Sequence, residues 1–245
     1  MNLAIDVGNT LAKLALFEGE EIRFVKSYET LDEQIADSIF KNFPGIRSVI
    51  IGSVRELPEA FTASFRKNAK TLVLSPGMPL PVRLDYETPL TLGADRIAAV
   101  VAGNRLYPGK NTLVIEAGTC ITYDLVDASG TYRGGSISPG LDMRFKALNT
   151  FTGKLPLIKA VRDTALTGKS TETSIQSGVI NGMLAEIRGI IREYEVIYEN
   201  LTVILSGGYL DHFDKILKNN IFAVPNIVLK GLNIILEFNE AKDTR

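Results

Sequence analysis

The sequence predicts an α/β fold in two related halves, each a mixed sheet with flanking helices, and three observations carry that reading. Sliding the chain along itself by 110 residues sets Leu3-Ala4-Ile5-Asp6-Val7-Gly8 on Leu113-Val114-Ile115-Glu116-Ala117-Gly118, so an apolar strand ending in an acid and a glycine occurs twice. Each copy is followed by a second strand-like run and a turn: Leu11 to Phe17 with Glu18-Gly19, and Ile121 to Val126 with Asp127-Ala128-Ser129-Gly130. Helix-like and strand-like segments then alternate, the order of a sheet covered by helices.

In the first half, Leu3 to Val7, Leu11 to Phe17 and Ile22 to Val25 are separated by short turn-rich gaps, which predicts antiparallel hairpins. Thr30 before Leu31-Asp32-Glu33 supplies a hydroxyl cap and first-turn acids for a helix through Ile35, Ile39 and Phe40. Strand Val49 to Ile51, a helix near Glu59 to Ala69 and strand Thr71 to Leu74 follow. A turn-rich interval, Tyr107-Pro108-Gly109-Lys110-Asn111, comes after a long apolar helix and marks the junction, giving halves 1–108 and 109–245. The second half continues with a third strand at Thr131 to Ile137, helical segments, a strand at Leu201 to Leu205 and more helix.

Composition excludes several classes. Hydrophobic residues at 45% and charged residues at 22% are those of a folded globular chain. A formal net charge of -1 leaves no global field to gather nucleic acid or anionic lipid, so neither partner is expected. A single cysteine, Cys120, excludes an intramolecular disulfide and a cysteine-rich metal site, as in a reducing compartment. With no export-signal pattern at Met1 to Asp6 and no apolar run of membrane-spanning length, the expected location is the cytoplasm.

Three segments carry chemistry. Asp6-Val7-Gly8-Asn9-Thr10 stands at a strand end, where Gly8 admits a phosphate against the turn amides, Asp6 would hold Mg²⁺ directly or through water, and Lys13 would neutralise charge on a transferred group. An ordinary hairpin with local side-chain bonds is the alternative. Gly93-Ala94-Asp95-Arg96 opens the apolar run Ile97 to Val101; Asp95 is either a first-turn capping carboxylate or a proton acceptor for a substrate hydroxyl, and Arg96 offers a planar fork for a carboxylate. Ser206-Gly207-Gly208 ends a strand, as a corner admitting a flat ring or a phosphate, or as a plain tight turn.

Other features carry less. Thr167-Gly168-Lys169-Ser170 resembles the tail of a P-loop, but the required first glycine would be Asp163. His212, the only histidine, reads as a surface helix residue, and Cys120 as part of a buried strand without a histidine partner.

Taken in order, Asp6 to Thr10, Tyr86-Glu87-Thr88-Pro89, Leu92 to Arg96, Ala117-Gly118-Thr119 and Gly134-Gly135-Ser136-Ile137-Ser138-Pro139-Gly140 closely resemble the type III pantothenate kinases, from Met1 to about Gly208. The resemblance implies a duplicated actin-like (ribonuclease H-like) fold of the acetate kinase, sugar kinase and actin superfamily, with ATP in a cleft between the halves. It implies phosphorylation of pantothenate by ATP with Mg²⁺, the first step of coenzyme A synthesis. Asp6, Val7, Gly8, Asn9, Thr10, Leu11, Ala12 and Lys13 would form the phosphate-binding hairpin, with Thr119 as a nucleotide contact from the second half. Tyr86, Gly93, Ala94, Asp95 and Arg96 would hold pantothenate, with Asp95 as general base, and Thr171 would reach the substrate from the other subunit of a homodimer.

One position departs from the family. Its second half usually carries Asp-x-Gly-Thr, the Asp binding a monovalent cation such as K⁺ or NH₄⁺; here the residue is Glu116, one methylene longer, so weaker or altered cation activation is expected. Another small-molecule kinase on the same scaffold and a non-enzymatic transcription accessory factor are the rival functions. Asp95 and Arg96 argue against the second.

Overall fold

The opening apolar run forms β1 (Asn2–Val7), which pairs antiparallel with β2 (Ala12–Glu18); β2 in turn pairs antiparallel with β3 (Glu21–Tyr28). The computed structural model describes residues 1–209 and 221–243. The chain divides into two units, Met1–Leu106 with Gly130–Tyr132 and Asn226–Arg245, and Tyr107–Ser129 with Arg133–Pro225. The helical pattern expected after Gly208, and His212 within it, lie outside the described residues.

In the first unit β4 (Ser48–Ser53) and β5 (Lys70–Val73) extend the sheet in parallel, giving the order β3-β2-β1-β4-β5. Parallel neighbours need crossovers, and α1 (Glu33–Asn42) and α2 (Glu59–Arg66) supply them. Leu3, Ile5 and Val7 alternate onto the face that packs Ile35, Ile39, Phe61 and Phe65, while Ala4 and Asp6 belong to the opposite face. Helix α1 starts two residues later than Thr30 would set it. Asp32 is the cap, its Oδ1 accepting the Ile35 amide at 3.1 Å, since a carboxylate there also complements the helix dipole. Short strand β6 (Arg83–Leu84) and α3 (Ala94–Leu106) complete this stretch.

The second unit repeats the plan. Strand β7 (Thr112–Ala117) pairs antiparallel with β8 (Cys120–Val126) and parallel with β10 (Thr202–Gly207), beyond which lies β11 (Ile221–Ala223); β9 (Thr131–Pro139) neighbours β8. The order β11-β10-β7-β8-β9 reproduces that of the first sheet strand for strand, and β1 and β7 are offset by the same 110 residues that align their sequences. The first residues of β9, Thr131 and Tyr132, pair with β6 and group with the first unit. Helices α4 (Leu141–Thr150) and α5 (Thr171–Ile197) bury Leu141, Phe145, Ile180, Met183 and Ile187 against Leu113, Ile115 and Tyr123. The false P-loop tail is a helix cap: Ser170 Oγ accepts the Thr173 amide, and Thr173 Oγ1 accepts the Ser170 amide.

The C-terminal helix α6 (Ile227–Asp243) corrects the expected division at 108, because Asn226–Arg245 groups with the first unit. Its Ile227, Leu229, Leu232, Ile235 and Leu236 are fully buried, each worth about 1.5–3 kcal/mol, and they are spent against α3, β1 and β4. Buried Asn233 fastens the helix, donating to the Gly19 carbonyl at 3.1 Å and accepting from Asn2 Nδ2 at 3.0 Å. No described helix is long and apolar enough to cross a membrane.

Burial, and then the Glu20 and Glu240 carboxylates, raise Glu237 on α6 above its ordinary value of 4.5 against the pull of Asn233 and Arg105. The folded chain therefore binds this proton more tightly than the unfolded chain, and stability falls as pH rises from the ordinary value through the raised one. Glu237→Gln keeps an oxygen for Asn233 and removes the charge. Its melting temperature should exceed that of the parent near neutral pH, with the gap closing in acid below 4.5; an equal or lower value at neutral pH would contradict this reading.

Candidate active site

In the first unit, a candidate segment forms where β1 ends. Register places Lys13 of β2 and Gly52 of β4 on either side of Asp6, so the three share one sheet face in a row. Beyond them Gly8, Asn9, Thr10 and Leu11 make a tight hairpin loop, closed by the Gly8 amide donating to the Leu11 carbonyl at 3.0 Å. Asn9, Thr10 and Leu11 are exposed, Val7 and Ala12 buried, and Asp6, Gly8 and Lys13 half-buried. The loop thus presents backbone and short polar side chains to solvent from an anchored base.

Helix α3 reaches the same strand ends. The Gly93 carbonyl accepts the Ile97 amide at 3.1 Å, beginning the helix, and the Ala94 methyl lies 3.6 Å from where a Cβ on Gly52 would stand. Since Gly52 is the register partner of Asp6, Gly93 to Arg96 begin one strand away from the acid of the hairpin. Half-buried Asp95 turns back on its own helix start: Oδ1 accepts the Arg96 amide at 2.8 Å and lies 2.5 Å from the Cβ position of Gly93, so a side chain at 93 would displace the carboxylate.

Tyr86 and Arg96, ten positions apart, come together. The guanidinium carbon of buried Arg96 stands 6.0 Å from the Tyr86 ring centre, and on Tyr86's other neighbour the fully buried Tyr132 ring is 5.7 Å away. Tyr132 escaped the sequence reading. It is delivered by the pairing of β6 with β9, Leu84 opposite Tyr132, between segments that nothing local in the sequence links.

In the second unit, the corresponding candidate segment forms where β7 ends. Glu116 is flanked in register by Thr122 of β8 and Ser206 of β10, a row of oxygen-bearing side chains where the first unit has Lys13, Asp6 and Gly52. Its Oε2 lies 3.1 Å from the Cβ position of Gly118, so the carboxylate curls back over the turn. That turn, Gly118-Thr119, is held from three sides: the Gly118 amide donates to the Cys120 carbonyl at 2.9 Å, the Gly140 amide to the Thr119 carbonyl at 3.0 Å, and the Gly208 amide to the Ala117 carbonyl at 3.0 Å. Cys120 is half-buried at the start of β8 rather than within a buried strand, its sulfur 3.9 Å from Met143 Sδ.

Polar groups brace these segments. Burial opposes ionisation of Glu186, but hydrogen bonds from Arg144, Ser138 and Tyr123, with the Arg144 charge, outweigh it and hold its carboxyl below the ordinary range. Burial, and then the Asp142 carboxylate, push the Tyr209 phenol up to about 12. Thr171 is exposed at the first position of α5, in the second unit.

Among the described residues no three His, Cys, Asp or Glu side chains gather to hold a metal. The donors at Asp6 and at the Glu116 row fit hard cations held by one carboxylate together with hydroxyl, water or phosphate oxygens, the usual manner for Mg²⁺ in phosphoryl-transfer sites.

Gly207 tests how tight this packing is. It holds φ +107°, and a methyl there would stand 2.1 Å from the Ala117 carbonyl oxygen, whereas one on Gly208 would meet nothing within 4 Å. Gly207→Ala should lose on the order of 2–4 kcal/mol of folding stability, and Gly208→Ala should leave the melting temperature within a degree or two, as ordinary surface substitutions do. Equal melting temperatures for the two variants would count against the described geometry.

The model of the type III pantothenate kinase family matches residues 2–193. A type III pantothenate kinase of Christiangramia forsetii is 45% identical over 243 residues, 99% of this chain and 100% of that one. Among solved structures, the activator of the 2-hydroxyisocaproyl-CoA dehydratase from Clostridium difficile, with bound ADPNP, superposes with a TM-score of 0.56 at 11% identity, covering 99% of this chain and 96% of that one. A glucokinase from an Antarctic psychrotroph does so with a TM-score of 0.52 at 11% identity, covering 97% and 98%. The duplicated sheets are the actin-like fold shared with sugar kinases, and the chain belongs to the type III pantothenate kinase family.

Proposed function

We propose that the chain transfers the γ-phosphoryl group of ATP to the primary hydroxyl of pantothenate, giving 4'-phosphopantothenate and ADP, the first step of coenzyme A synthesis, in the cytoplasm. The observation that carries this is the start of α3: Asp95, Arg96 and Tyr86 sit together, one strand from the Asp6 hairpin. A proton acceptor, an anion fork and a phosphate loop are the parts such a reaction requires.

In this reading residues 6–13 cradle the phosphates, Asp6 holds Mg²⁺ directly or through water, and Thr119 contacts the nucleotide. Bound Mg²⁺ would neutralise phosphate charge and orient the transferred group. Lys13, in register with Asp6, offsets charge building on the γ-phosphoryl oxygens. Gly93, Ala94, Tyr86 and Arg96 seat pantothenate, the Arg96 guanidinium facing its carboxylate. With Oδ1 engaged by the Arg96 amide, Asp95 Oδ2 takes the hydroxyl proton as the oxygen attacks phosphorus and the bond to the ADP oxygen breaks. Glu116, with Thr122 and Ser206 beside it, supplies oxygen donors for a monovalent cation, altered from the family's pattern by the longer side chain. The active form is a homodimer in which Thr171 of the partner subunit completes the pantothenate site; exposure of this residue at the head of α5 supports that role.

Asp95→Asn tests the assignment, because it keeps shape and removes the acceptor. In a pantothenate-dependent ADP-release assay kcat should fall about 10²–10⁴-fold, with the melting temperature unchanged. Full turnover by the variant would remove Asp95 from the role of base.

A further inference from the structure

We propose that Arg144 and Glu186 are positioning residues for the nucleotide, acting through Gly140 on the Gly118-Thr119 turn; the inference rests on the reading of that turn as a nucleotide contact. Neither residue lies in the segments that bind phosphate or pantothenate. Arg144, on α4, spreads its guanidinium over the end of β9: Nε donates to the Pro139 carbonyl at 2.8 Å and Nη2 to Ser138 Oγ at 2.9 Å. The same Nη2 donates to Glu186 Oε2 on α5 at 2.6 Å, and the other carboxylate oxygen accepts the Tyr123 hydroxyl of β8 at 2.8 Å. One guanidinium and one carboxylate thereby tie four elements, β8, β9, α4 and α5, to the Ser138-Pro139-Gly140 corner.

The next residue in that corner meets the turn. A Cβ on Gly140 would lie 2.3 Å from the Gly118 carbonyl oxygen and 2.4 Å from that of Thr119, and the Gly140 amide donates to Thr119 at 3.0 Å. With no room for even a methyl between corner and turn, and a direct backbone hydrogen bond joining them, a shift of the corner is passed to the turn without a flexible side chain to absorb it. The pair itself is sheltered, with 20% of the Arg144 and 27% of the Glu186 side chain exposed, so its geometry is not that of a solvated surface bridge. A residue that fixes where a binding turn sits affects ground state and transition state alike, and so acts on affinity more than on turnover.

The test separates the two substrates. Arg144→Lys keeps the charge but cannot span Ser138, Pro139 and Glu186 at once; Arg144→Gln and Glu186→Gln also remove a charge. Wild-type enzyme is assayed first, and absence of pantothenate-dependent ADP release from it would overturn the proposed function itself. Given that activity, KM for ATP and the Kd for a non-hydrolysable ATP analogue should rise roughly tenfold in Arg144→Gln and several-fold in Arg144→Lys. KM for pantothenate and kcat at saturating ATP should stay within about twofold. An ATP KM unchanged in both variants, or equal rises for ATP and pantothenate, would overturn the positioning role. Should Arg144→Gln not fold, Glu186→Gln, which retains volume and the Tyr123 hydrogen bond, is judged by the same criteria.

Discussion

The carboxyl ends of the central strands β1 and β7 are packed unusually closely, because glycines there let other segments come very near. Gly52, beside Asp6, leaves room for the Leu232 side chain of α6; Gly140 and Gly207 let two further segments close on the turn after Glu116. A single methyl at 140 or 207 would penetrate carbonyl oxygens by more than an ångström, and no rotamer change relieves a clash with backbone. Within each unit, the strand ends and the segments packed on them therefore hold one another in place.

Duplication of the sheet did not preserve the chemistry along it. In the first unit the row across the strand ends is Lys13, Asp6 and Gly52, a cation, an anion and a gap; in the second it is Thr122, Glu116 and Ser206, an anion between hydroxyls. The first row carries a positive charge and the second does not, and on the proposed reading this is why the first would meet a phosphate directly and the second would call for an added cation beside Glu116. The same scaffold position thus carries two different charge patterns.

Much of this was legible in the residues. Strand periodicity exposed β1, β2, β7 and β8, and the recurring acid and glycine exposed the duplication, because apolar alternation and turn residues are local signals. Tyr86 and Arg96 are singled out by motif in the sequence, and their meeting is a fact of the fold. What stayed hidden depends on distant pairing. Tyr132 reaches Tyr86 only through the β6–β9 ladder, and Arg144 meets Glu186 from 42 residues away. The cap of α1 was misplaced from Asp32 to Thr30 because both residue types cap well and only tertiary packing chooses between them. Helix α6 shows an apolar face in its sequence, but nothing there says that the face belongs to the first unit.

The most direct measurement follows the transferred group itself. Enzyme, γ-labelled ATP and pantothenate are incubated together, and the products are resolved by mass spectrometry and phosphorus NMR. Label in a phosphomonoester at the primary hydroxyl of pantothenate, formed one for one with ADP and absent without pantothenate, is the expected result. ATP consumed at the same rate with and without pantothenate, or label found only in inorganic phosphate, would contradict it.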